Sequence, residues 1–228
     1  MLFRSGFRKP IKNVCTRLEA NVHLITASRR EHEALIAAAE RGNVADLRRI
    51  LDGGTPVNYR DTRGRNAVLA ATQRGQVEAA KFLISRGADV NAQDEIRDSA
   101  FLLAGASGHT EIVRAALGAG VNFKLTNRYG GTALIPACHY GHVETVRLLL
   151  TSTIDVNHVN NLGWTALLEA VILGDGEARH TEIVHLLLAH GANANIADRQ
   201  GVTPLAHAER RGYQSIAKAL RAAGGKTQ

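Results

Sequence analysis

A period of about 33 residues constrains this chain more than any other feature. Gly130-Gly131-Thr132-Ala133-Leu134 returns 33 residues later as Gly163-Trp164-Thr165-Ala166-Leu167. One unit reads as a turn at Gly130-Gly131, a helix opening at Thr132 and a small-residue helix from Ala133 to Tyr140, broken at Gly141. The Thr132 hydroxyl is placed to cap free backbone N–H groups. A second helix, His142 to Leu150, carries the aliphatic row Val143, Val146, Leu148, Leu149 and Leu150, and Asp155-Val156-Asn157 leads out. Two short helices and a turn at this period specify a stacked array, in which each unit contacts mainly its neighbours. Composition agrees: 45% of residues are hydrophobic but only 4% aromatic, so the core must be built from Ala, Leu, Val and Ile.

Six units follow, over residues 28–60, 61–93, 94–126, 127–159, 160–197 and 198–225. Order is expected to begin near Ser28, where Ser28-Arg29-Arg30-Glu31 fits a capping box. Gly64, Gly130, Gly163 and Gly201 share one repeat position, and Gly87, Gly120 and Gly191 share another. Arg97 and Thr153 interrupt these columns. A non-glycine residue is strained at positive φ, so local rearrangement is expected at both. Asp175-Gly176-Glu177-Ala178-Arg179 is an insertion between the helices of the fifth unit, and solenoid insertions map to loops on one edge.

The formal charge of +7 is unevenly spread: residues 1–31 hold seven Lys/Arg and two Glu, while the rest is nearly balanced at 21 against 19. Residues 1–27 therefore read as a basic tail ahead of an array spanning 28–225, disordered or a leader. They lack the apolar stretch of a secretory signal. No run of 18 apolar residues offers a membrane span. Cys15 and Cys138 do not make a disulfide framework.

Gly at the turn, Thr-Ala/Pro-Leu at the helix start, Ala-x-x-x-Gly-His, Glu-Ile-Val-x-x-Leu-Leu and Gly-Ala-Asp-Val-Asn together resemble the ankyrin repeat, over about residues 32–224. The runs NRYGGTALIPACHYGHVETVRLLL and NNLGWTALLEAVILGDG also resemble a bacterial branch of ankyrin proteins. The resemblance implies an all-α solenoid of about six helix-turn-helix units joined by extended β-type turns. Where the family has a histidine after Thr-Pro-Leu, this chain has Leu69, Leu102, Ile135, Leu168 and Ala206, so apolar packing is expected in place of a polar network.

Family recognition uses turn tips and the exposed ends of inner helices, which line a concave groove. The matching positions include Arg63, Arg65 and Arg74 in the second unit, Ile96 and Asp98 in the third, and Arg128, Tyr129, His139 and Tyr140 in the fourth. The fifth contributes Leu162, Trp164 and Leu173. Trp, Tyr and Arg dominate interface energies, and three of the chain's five Trp and Tyr residues fall on this face. For Trp164 and Tyr129 the alternative is to brace neighbouring turns.

The expected function is a non-enzymatic scaffold or adaptor binding a protein partner in the groove around units three to five. The alternative is nucleic-acid or anionic-surface association through the basic tail and Arg63, Arg65, Arg74, Arg210 and Arg211. Such contacts would be steeply salt-dependent. His109, His142 and His180 recur once per unit and supply no converging zinc ligands. Asp175-Gly176-Glu177 is too short for a calcium loop. Glu169 with His180 or His185 is a conceivable acid/base pair, but no nucleophile or phosphate-binding loop accompanies it. No cofactor or metal, a monomeric state and a cytoplasmic location are expected, with an exported or organellar location the alternative if residues 1–27 are a leader or a non-native start.

Overall fold

The structure, a computed structural model, describes residues 29–227; the Ser28 capping box and the basic tail lie outside them. Helix α1 spans 29–41. It is followed by α2 (Val44–Asp52), α3 (Ala67–Gln73), α4 (Val77–Ser85), α5 (Ala100–Ala106), α6 (Thr110–Leu117), α7 (Leu134–His139), α8 (Val143–Leu149), α9 (Ala166–Ile172), α10 (Ala178–Ala189), α11 (Pro204–Arg210) and α12 (Gln214–Ala222). No strand occurs among the described residues. Inner helices α3, α5, α7, α9 and α11 pack in sequence, and the even-numbered helices form a parallel outer row from α2 to α12.

The core is as thin as the composition requires. Leu47, Leu69, Leu83, Ile112, Leu134, Leu149, Leu168, Leu187 and Ile216 are fully buried, with small alanines between the helices. Leu69, Leu102, Ile135, Leu168 and Ala206, expected to pack where the family carries histidine, are all buried. A helix of seven residues is too short to persist alone, so this burial is what holds each one.

Inner-helix caps follow the sequence with one exception. The side chains of Asn66, Ser99, Thr165 and Thr203 accept the N–H of Leu69, Leu102, Leu168 and Ala206. Thr132 does not: α7 starts at Leu134, and the buried Thr132 hydroxyl has no hydrogen-bond partner among the described residues. The cap expected at Thr132 is thus not formed.

At the turn column Gly64, Gly130, Gly163 and Gly201 adopt φ of 73–84°, and Arg97 adopts φ 66°. The rearrangement expected at Arg97 does not occur. The Asp94 carboxylate accepts the N–H of both Ile96 and Asp98, and the Arg97 carbonyl accepts from Gln93 Nε2 at 2.7 Å, so the surrounding bonds hold the turn. Thr153 does rearrange and escapes positive φ. The insertion is partly helical: Ala178 and Arg179 extend α10 to 12 residues.

A second set of bonds links unit to unit at the exits. Asn58 donates to the Gly87 carbonyl and accepts the Asp89 N–H. Asn91 does the same with Gly120 and Asn122, Asn157 with Gly191 and Asn193, and Asn195 with Gly224 and Lys226. The ladder is broken once. Lys124 stands where asparagine is needed, opposite Thr153, and the orphaned Thr132 hydroxyl sits at the same seam. Lys124 has no acceptor to offer the Asp155 N–H. Restoring the rung with Lys124→Asn and Thr153→Gly should stabilise by about 1–2 kcal/mol, for two hydrogen bonds regained. The thermal midpoint should rise by about 3–6 °C, followed by circular dichroism; an unchanged or lowered midpoint would refute the role given to this rung.

Candidate functional site

The groove begins with the turn tips. Each tip is set by one side-chain oxygen that accepts two backbone N–H groups. Asp61 takes those of Arg63 and Arg65, Asn127 those of Tyr129 and Gly131, Asn160 those of Leu162 and Trp164, and Asp198 those of Gln200 and Val202. The first donor of each pair and the residue after the acceptor are left projecting. Adjacent tips are joined, as Asn161 donates its N–H to the Tyr129 carbonyl at 2.9 Å.

This geometry places large apolar side chains in solvent. Six are exposed among the described residues, and five lie on the groove: Ile96, Tyr129 and Leu162 at successive tips, and Tyr140 and Leu173 at the ends of successive inner helices. Tyr129 and Tyr140 are 55% and 54% exposed, well beyond what a core role allows. Between them lies a pocket of ≈ 310 Å³ lined by Asp98, Arg128, Tyr129, His139, Tyr140, Leu162 and Leu173, with Asn160 and Glu169 at its side. Seven of the eleven residues expected on the groove therefore meet at one place.

The other four do not. Arg63 and Arg74 are exposed on the second unit, away from the pocket. Trp164 is half-buried and does not line it. Arg65 is a correction: expected at the surface, it is 5% exposed. Its guanidinium pairs with Glu40 and Asp61 at 2.8 Å and donates to Gln73 at 2.8 Å. It ties the first unit to the second.

Arg128 lies 4.9 Å over the Tyr129 ring and 3.4 Å from the Asp98 carboxylate, so an aromatic face and an acid hold it at the rim. Burial pushes the Asp98 carboxyl up, against the pull of Arg128 and with that of Asp94. His139 stacks on Tyr140 at 4.2 Å, and burial lowers its pKa, aided by His180.

Glu169 is the residue sequence reasoning left out of the groove. It belongs to α9, where the matching residues of the earlier units are Ala70, Leu103 and Pro136. A charged residue in an apolar repeat column was the available signal. It is 7% exposed, and its Oε1 accepts from Asn160 Nδ2 at 2.9 Å. Burial pushes its pKa up to about 7, with the Asn160 bond opposing. The suggested pairing with His180 or His185 does not form. His180 bonds Asp175 at 2.7 Å and the His139 carbonyl at 2.9 Å, and the histidine facing Glu169 is His139, at 3.9 Å. Like His142, which reaches the Ala106 carbonyl at 3.2 Å, His180 links adjacent units.

Two measurements check these assignments. Arg65→Ala should destabilise the fold by roughly 3 kcal/mol, since it strands two carboxylates, while Arg63→Ala should change stability little; equal effects in a denaturant titration would contradict the burial contrast. A carboxyl whose pKa is raised by folding binds more protons folded than unfolded. Glu169 therefore makes wild-type stability fall as pH rises from about 4.5 through 7, by on the order of 2 kcal/mol once the groove's solvent is allowed for. Glu169→Gln should flatten that decline relative to wild type.

Comparison with known proteins agrees with this architecture. The family model "Ankyrin repeats (3 copies)" matches residues 9–94 and 100–179, and the single ankyrin-repeat model matches 162–199. The crystal structure of an ankyrin repeat domain from Acinetobacter baumannii AYE is 53% identical with a TM-score of 0.82, covering 84% of this chain and 98% of that one. The ankyrin repeat protein EF0377 is 41% identical with a TM-score of 0.80, covering 83% and 97%. The ankyrin repeat protein YahD of Escherichia coli (strain K12) is 47% identical over 55 residues, 24% of this chain and 27% of that protein, so the match spans about a quarter of the curated relative. No helix among the described residues is long and apolar enough to cross a membrane. With its period, paired helices and turn columns all accounted for, the chain belongs to the ankyrin-repeat family.

Proposed function

We propose that this protein is a non-enzymatic adaptor that holds a protein partner in the groove of its third, fourth and fifth units. Ankyrin repeats are in general protein–protein interaction modules. The observation that supports the specific face is the row of Tyr129, Leu162, Tyr140 and Leu173, exposed at repeating positions around one pocket, with Ile96 exposed at the preceding tip. Burying such a row would supply the anchors that dominate interfaces, at about 2 kcal/mol or more each. The tips are already fixed by their Asp or Asn side chains, so little ordering is lost on binding.

The nucleic-acid reading is less well supported. Arg65 is committed inside the fold, and Arg128 is matched by Asp98. The basic tail lies outside the described residues.

Affinity capture from the native cell tests the groove. Tyr140→Ala, Leu162→Ala and Leu173→Ala should each weaken retention of a partner by about tenfold or more without lowering the unfolding midpoint, because each side chain is in solvent. Retention unaffected by all three would place the interface elsewhere. Retention lost sharply between low and moderate salt would favour nucleic acid.

A further inference from the structure

The groove pocket has two carboxylates with unequal partners. Asp98 has Arg128, which is also stacked on Tyr129. Glu169 has an amide. Its Oε1 takes the Asn160 bond, while Oε2 makes no hydrogen bond among the described residues and has His139 Nδ1 3.9 Å away. A buried carboxylate is costly unless a charge or several donors meet it. Glu169 is nonetheless placed on an inner helix at a column otherwise apolar in the preceding units, and it borders the pocket, with the exposed Tyr140 ring close by. An anion beside aromatic rings, in a cavity of ≈ 310 Å³, is complementary to a cationic group that can donate hydrogen bonds and sit against a ring face.

We propose that this pocket receives a basic side chain, arginine or lysine, carried by the protein segment that occupies the groove. The inference rests on the groove being the partner site and adds the chemistry that selects the partner. The cationic head meets Glu169 Oε2, and its apolar stem runs along Tyr140, Leu162 and Leu173. The chain already contains the same arrangement in Arg128, with Tyr129 beneath and Asp98 beside it.

The site is sensitive to pH in a defined direction. Glu169 titrates near 7, so it is mostly neutral at pH 6 and mostly ionised at pH 8. The other charged or titratable groups around it are His139 and Cys138 of α7, Asp98 and Arg128 of the preceding turns, His180 of α10, and His207 of α11 with its partner Asp198. His139 has a lowered pKa and Cys138 a raised one, so both are uncharged at pH 8. The pocket's negative charge thus grows from pH 6 to 8.

The test titrates the full chain with the N-acetyl N-methylamides of arginine and lysine, and with those of citrulline and norleucine as uncharged counterparts. Carbon-13 NMR of the Glu169 carboxyl and the tyrosine rings reads the position of binding. The charged probes should shift Glu169 and Tyr140 and bind about tenfold more tightly than the uncharged ones. Their affinity should rise about tenfold from pH 6 to pH 8, following ionisation of a group with pKa near 7. Glu169→Gln should abolish both differences; should that variant fail to fold, the pH series on the unaltered protein decides. Equal binding of charged and uncharged probes, a flat or falling pH series, or shifts confined to acids outside the pocket overturn the inference. If partner capture depends on Leu162 and Leu173 while the charged probes show no preference, the groove stands and this inference fails. If capture ignores those residues while the probes still seat at Glu169, the pocket stands and the groove reading fails.

Discussion

The turn side of the array depends on one small device, a carboxylate or amide oxygen that accepts two backbone N–H groups at each turn. Asp61, Asp94, Asn127, Asn160 and Asp198 each do this. Without it the tip would carry two unpaired donors and no fixed conformation. With it, the tip closes over a residue at positive φ and turns its neighbours outward. The strain at Arg97 is tolerated for the same reason: several bonds converge on one turn, and they outweigh the cost of about 1–2 kcal/mol for a left-handed non-glycine residue.

Stacking then converts a local device into a surface. A side chain on one tip has its nearest neighbours a full period away in sequence. Asp98, Arg128 and Leu162 come from three consecutive units, yet share a pocket. The array also shows where stacking is weakest. Between the third and fourth units an asparagine rung is missing and a capping hydroxyl is unpaired, while the helices on either side remain packed. The groove pocket spans that same junction. Elements with fewer ties open at lower free energy than the rest of an array.

The repeat period, the paired helices and the apolar columns were legible because each follows from local chemistry: glycine at a left-handed turn, a capping side chain three residues before a free N–H, and aliphatic residues at helical spacing. What was missed depends on the neighbour. Arg65 looks like Arg63 in sequence, but its guanidinium is surrounded by Glu40, Asp61 and Gln73, two of them from other elements. Thr132 has the right residue type for a cap, yet Ala133, itself in a helical conformation, takes the N-cap position of α7, and the bond is not made. Trp164 and Tyr129 look equivalent as aromatic tips, but only Tyr129 lines the pocket.

The sequence by itself determined that the chain is a stack of about six two-helix units with a groove on its turn side, because periodicity and turn chemistry are properties of neighbours along the chain. Only the tertiary structure decided which of the groove's residues stand in solvent, because burial is settled by side chains a whole unit away. It drew Arg65 inside as a tie between units, left Tyr140, Leu162 and Leu173 in solvent, and set the Glu169 carboxylate beside them with a single hydrogen bond.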